Sequence, residues 1–137
     1  MKLALSSDQR IGVLTDAGFT DVSQVFADIR YRTANDRMPR VLAALSSRRG
    51  LTEDAAAAGT AEADVHLQSP VPRPPKLIAC FGNYREGTDR ARQTQDMFLE
   101  SPESVIGPGG TVILPPAQAS IFHHEAELGL VIGTRAK

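Results

Sequence analysis

His123-His124-Glu125-Ala126-Glu127-Leu128-Gly129-Leu130-Val131-Ile132 decides how this chain is read. Polar and apolar residues alternate through residues 121–132, the period of a half-buried β-strand. Residues two apart on a strand share a face. Glu125 and Glu127 are therefore expected together, with His123 beside them, while Ala126, Leu128, Leu130 and Ile132 face a core. His124 points away from the carboxylates. Two carboxylates on one face repel each other unless a cation or a shared proton relieves them. Hard divalent ions such as Mg²⁺ or Ca²⁺ prefer such oxygen ligands. A solvated strand face that carries two acids is the commoner origin of this pattern, so spacing alone leaves both readings open.

Working outward toward the N-terminus, Val112-Ile113-Leu114 reads as a strand stopped by Pro115-Pro116. Gly107-Pro108-Gly109-Gly110 is a tight-turn signal rather than a phosphate loop, because no Lys-Ser/Thr follows it. Residues 88–97 are polar, with weak helical spacing at Ala91, Thr94 and Met97. Arg85, Arg90 and Arg92 form a basic cluster that suits either a substrate carboxylate or a solvated helix face. Residues 76–81 form a buried-strand candidate ending in Gly82-Asn83-Tyr84, and Cys80 within it reads as a buried, inert thiol.

Ser69-Pro70-Val71-Pro72-Arg73-Pro74-Pro75 favours polyproline II and forbids a central strand, so it marks a boundary. Three units follow: a small N-terminal domain at 1–69, a proline-rich linker at 70–75, and a second domain from 76 to 137. Within the first, Leu3 and Leu5 alternate with polar or small neighbours, and Ile11, Val13 and Leu14 form a second apolar run after a turn at 6–9. Asp16-Ala17-Gly18 is another turn, leading to a third strand at 19–22. Ser23 is a candidate cap for a short helix to Ile29, and a better helix spans 38–47 with Pro39 in its first turn. The alanine-rich stretch 51–64 is either a surface helix broken at Gly59 or a connector.

Composition narrows the function classes. The chain has 137 residues with 42% hydrophobic and 23% charged side chains, a balance that argues against global disorder. A net charge of −1 lacks the clustered basic excess of a duplex binder, so no nucleic-acid partner is expected. No segment approaches the roughly 18 apolar residues of a membrane span, and the N-terminal apolar run is too short for a signal peptide. No membrane partner and a cytoplasmic location are therefore expected. The single cysteine excludes an intrachain disulfide. Aromatic residues are sparse at 5% and there is no Trp, so the core must rest on aliphatic side chains.

Four blocks occur in order: Pro74-Pro75-Lys76-Leu77-Ile78-Ala79-Cys80-Phe81-Gly82-Asn83-Tyr84, then Ile106-Gly107-Pro108-Gly109, then Leu114-Pro115-Pro116, then His123-His124-Glu125-Ala126-Glu127-Leu128 with Val131-Ile132-Gly133. In order and spacing they resemble the fumarylacetoacetate hydrolase family; residues 1–22 also resemble its small N-terminal domain, less specifically. The resemblance implies an α+β, mainly β fold: a small N-terminal domain, then the beginning of a mixed β-roll. It implies a divalent cation, Mg²⁺ with Ca²⁺ or Mn²⁺ as alternatives, on Glu125 and Glu127. It implies a hydrolase or lyase acting on the C–C bonds of diketo or 2-oxo acids, or a decarboxylase or isomerase of the same substrates, and a homodimer at full length. Tyr84 and Arg85 are the substrate-binding candidates.

This sequence departs from the family pattern at the proton-handling position. Many members read Asn-Tyr-x-x-His-x-x-Glu after the first strand, and that His–Glu pair activates water. Here Asn83 and Tyr84 are followed by Gly87 and Arg90 in those positions. The catalytic-base candidates are consequently His123, on the face expected to carry the carboxylates, and Glu86, nearby in the loop. The resemblance also places a third metal ligand, an aspartate, beyond Lys137. The chain is thus expected to be the N-terminal portion of a longer protein, inactive by itself; a non-catalytic copy is the alternative.

Overall fold

The structure is a computed structural model and describes residues 1–84, 91 and 94–133. Its first sheet is built from the expected apolar runs. β1 (Lys2–Ser6) and β2 (Ile11–Thr15) form an antiparallel hairpin that pairs Leu3 with Val13 and Leu5 with Ile11. β3 (Gly18–Asp21) folds back on β2 after a two-residue turn at Asp16-Ala17. Gly18 makes that turn possible, because its φ of +126° is closed to ordinary side chains. A short fourth strand, β4 (Leu67–Gln68), returns to pair with β1, so the strand order is β3-β2-β1-β4. The Gln68 side chain strengthens this short pairing by donating to the carbonyls of Ser6 and Ser7 at 3.2 and 3.1 Å.

One face of the sheet is covered by α1 (Ala34–Ala58). Leu5, Ile11, Val13, Val22, Phe26, Met38 and Val41 form the buried core, with Leu45, Ala55 and Ala56 packed against it. On the helix Met38, Val41 and Leu45 are three and four apart, the spacing of one helical face, and Ala55 and Ala56 continue that face further along. The stripe includes Thr52, which is fully buried and satisfies its hydroxyl by donating to the Arg48 carbonyl at 2.8 Å. Burying each large aliphatic side chain contributes about 1.5–3 kcal/mol, so this interface is the main source of cohesion in residues 1–68. On the opposite face the Phe19 ring is buried over Gly12, and the Arg10 guanidinium lies 5.4 Å from its centroid. Arg10 is pinned there by Asp8 at 2.8 Å and Glu62 at 2.5 Å.

Several expectations change. The helix is a single 25-residue element rather than one confined to 38–47; it runs on into the alanine-rich stretch and ends at Gly59, the first of the two readings of that stretch. The apolar stripe runs continuously across Gly50, and alanine is the best helix former, so the small residues there mark close approach to the sheet rather than a connector. Pro39 lies in the second turn rather than the first. Ser23 caps no helix: its hydroxyl accepts the Ile11 amide at 2.9 Å, and only a 3₁₀ turn, Ser23–Phe26, forms in place of the helix to Ile29.

The second sheet is a two-stranded antiparallel hairpin of β5 (Leu77–Phe81) and β6 (Asp96–Glu100), paired from Leu77–Glu100 through Phe81–Asp96. Met97 therefore sits in a strand, not on the weak helix expected for 88–97; part of that stretch lies outside the described residues. Cys80 is half-buried rather than buried. The turn at 107–110 forms as expected, with the Gly110 amide on the Gly107 carbonyl at 3.1 Å and Gly109 at φ +75°.

Residues 112–114 and 121–132 are not strands in the structure. Alternation specifies two faces, but a strand exists only through pairing with a neighbour, and no described residue pairs with these segments. Their apolar side chains stay outside, with Leu128 and Leu130 exposed at 77% and 79%. Antiparallel sheets with a packed helix agree with the α+β class. No helix of the described residues is long and apolar enough to cross a membrane.

Candidate active site

The candidate residues approach one another where β5 ends. β5 delivers the chain to Gly82-Asn83-Tyr84 at the edge of an open groove of about 1030 Å³. Cys80, Asn83, Tyr84, Met97, Glu127 and Leu128 line this part of it. The groove brings Glu127 to the Asn83-Tyr84 turn although more than forty positions separate them in the chain. The link is a hydrogen bond: the Leu128 amide donates to the Tyr84 hydroxyl at 3.4 Å. Its length places it at the weak end of such bonds.

Glu125 and His123 are exposed and do not line the groove. Because residues 121–132 form no paired strand, the shared face expected for His123, Glu125 and Glu127 is not fixed by a sheet. Among the described residues no three His, Cys, Asp or Glu side chains cluster in a way that would hold a metal. The donor chemistry still suits a hard cation, since Glu125 and Glu127 offer carboxylate oxygens. Mg²⁺ characteristically takes one or two carboxylates and completes its shell with water and substrate oxygens. Arg85, Glu86, Gly87, Arg90 and Arg92 lie outside the described residues.

The Leu128 backbone amide is the element of this site that side-chain reasoning missed. Side-chain motifs carry no signal for a main-chain donor. Its only sequence trace is its position directly after the Glu-x-Glu pair.

Comparison with known proteins supplies the wider setting. Residues 76–137 match the family model described as Fumarylacetoacetate (FAA) hydrolase C-terminal. An uncharacterized protein of Pyrococcus horikoshii is 38% identical over 69 residues, covering 47% of this chain and 30% of its own length. The oxaloacetate tautomerase YisK of Bacillus subtilis is 35% identical over 77 residues, covering 51% of this chain and 26% of its own. The crystal structure of maleylpyruvate hydrolase from Sphingobium sp. SYK-6, in complex with manganese(II) and pyruvate, superposes with a TM-score of 0.68 at 29% identity. That match covers 85% of this chain and 43% of the hydrolase. The matched regions thus span less than half the length of these relatives.

Proposed function

We propose that the chain is part of a divalent-metal-dependent enzyme of the fumarylacetoacetate hydrolase family acting on 2-oxo or diketo acids; the match of residues 76–137 to that family's model supports the family. The observation that carries this reading is the convergence of Tyr84, Asn83 and Glu127 on one groove, joined by the Leu128–Tyr84 hydrogen bond. The manganese and pyruvate bound by the related maleylpyruvate hydrolase support the choice of cofactor and substrate class.

Glu125 and Glu127 would hold the cation, and their carboxylates leave room for substrate oxygens. When bound, the cation supplies Lewis-acid polarisation of the substrate carbonyl and stabilises developing enolate charge. The chain's own residues do the rest. Tyr84 and Arg85 bind and orient the acid, and a guanidinium is suited to a carboxylate through paired charge-assisted bonds. His123 takes up the proton, since imidazole is the side chain best matched to proton transfer at neutral pH.

A second reading within the same substrate class concerns the fate of that proton. Hydrolysis requires a water to be deprotonated, and Gly87 and Arg90 offer no carboxylate or imidazole for it. Keto–enol proton transfer on a 2-oxo acid needs no such water. The missing His–Glu pair supports a tautomerase or isomerase outcome over C–C hydrolysis, with Glu86 the loop carboxylate that hydrolysis would need instead.

Metal-dependent exchange of the C3 protons of oxaloacetate or pyruvate into D₂O, followed by NMR, tests enolate formation directly. Exchange that requires Mg²⁺ or Mn²⁺ is expected, as is a loss of Mn²⁺ affinity of at least about tenfold in both Glu125→Gln and Glu127→Gln. No metal-dependent exchange, together with unchanged Mn²⁺ binding in both variants, would overturn the proposal.

A further inference from the structure

We infer that Tyr84 is a positioning residue that holds Glu127 at the groove through the Leu128 backbone, an assignment that rests on the metal reading above. Three observations converge on it. First, residues 118–133 have no sheet or helix to order them. Second, their large side chains offer little packing in its place: Ile121, Leu128, Leu130, Val131 and Ile132 are all exposed. Third, among the described residues, the bond from the Leu128 amide to the Tyr84 hydroxyl is the only hydrogen bond that residues 118–133 make.

The physical consequence follows from chain entropy. Each residue left without a partner keeps conformational freedom that must be given up on ordering. A carboxylate on such a segment must pay that cost when it binds a cation. A tether one residue after Glu127 removes part of the cost beforehand and fixes the main chain at the groove edge. The phenol is suited to the task because its rigid ring places the oxygen far from its own backbone. The hydroxyl accepts the amide while its own proton stays available to a substrate oxygen. Tyr84 thereby acts on the metal donor through the backbone, without ligating the cation itself.

Tyr84→Phe removes the hydroxyl and keeps the ring, so it isolates the tether. Amide hydrogen exchange read by NMR in the metal-free protein is the first measurement. Leu128 should exchange about twofold to threefold faster in the variant, the low end of what losing one hydrogen bond does. The amides of β1, β2 and β3 should be unchanged. Mn²⁺ affinity, measured by calorimetry, should fall by a similar factor with unaltered stoichiometry. Glu127→Gln serves as the control for the underlying reading. If Glu127→Gln weakens Mn²⁺ binding and Tyr84→Phe changes neither exchange nor affinity, the positioning role is overturned and the metal reading stands. If Leu128 exchange accelerates while Mn²⁺ affinity holds, the tether exists but does not position the donor, and the inference fails. If Glu125→Gln and Glu127→Gln both bind Mn²⁺ normally, it is the metal reading that fails.

Discussion

Arg48 grips Asp28 with two parallel hydrogen bonds, Nη1 to Oδ1 at 2.5 Å and Nη2 to Oδ2 at 2.8 Å, and the same Nη1 reaches the Val25 carbonyl at 2.6 Å. One side chain in the middle of α1 thus anchors the 3₁₀ turn and the loop after it to the helix. Arg48 lies on the same helical stripe as Met38, Val41, Leu45 and Thr52, so its stem runs along the apolar face while its head emerges at the edge.

The Asp28 carboxyl should titrate at about 2, below its ordinary 3.8, with the Arg48 hydrogen bonds as the leading cause. The folded value is depressed, so the pair's stabilisation is complete above the ordinary value and is lost as pH falls toward the folded one. Carboxyl NMR titration of the wild type and Arg48→Ala checks this, and Asp28 should return toward 3.8 in the variant. Salt should weaken the effect, because both groups reach solvent. An ordinary Asp28 titration in the wild type would refute the bidentate pair.

Gly12→Ala should destabilise the protein by about 1–3 kcal/mol, the usual cost of overpacking. A Cβ at that position would lie 2.3 Å from Cε2 and Cζ of the Phe19 ring. Chemical denaturation measures it. Combining the change with Phe19→Leu should cost less than the sum of the single variants, since both act on one contact. Strict additivity would show that the ring does not occupy that space.

Two other glycines should respond with opposite signs. Gly18→Ala places a Cβ 2.4 Å from the Glu62 carbonyl oxygen at a φ of +126°, so it should cost about 1–3 kcal/mol and loosen the paired bonds between Phe19 and Glu62. Gly50→Ala meets nothing within 4 Å inside α1 and should stabilise by about 0.5–1 kcal/mol. Equilibrium unfolding of both variants tests the pair. A destabilised Gly50→Ala would mean that the helix is interrupted there.

If His123 accepts the substrate proton, His123→Ala should lower kcat by at least about tenfold, a floor below the usual general-base effect of about 10²- to 10⁴-fold, with little change in Mn²⁺ affinity. Glu86→Gln should lower it less. A large loss in Glu86→Gln beside an unchanged His123→Ala would transfer the role to Glu86.

Much of residues 1–68 was legible in the sequence because the signals there are local. Alternation at Leu3–Leu5 and the apolar run at Ile11, Val13 and Leu14, with a turn between them, marked two strands. The third strand followed from the Asp16-Ala17-Gly18 turn. The helix was only half legible. Its large apolar residues stop at Leu45, and its second half packs through Thr52, Ala55 and Ala56, which look like surface residues in a sequence.

The site divides in the same way. The sequence by itself determined the residue types: two acids two apart, a histidine beside them, and the Asn83-Tyr84 turn after an apolar strand. It also determined the alternation at 121–132, but not a strand, because pairing depends on a neighbour that a one-dimensional pattern does not contain. Only the tertiary structure decided that Glu127 reaches the Asn83-Tyr84 turn and that a main-chain amide holds the two together. Side-chain chemistry is written residue by residue, whereas a contact between positions 84 and 128 exists only once the chain has folded back on itself.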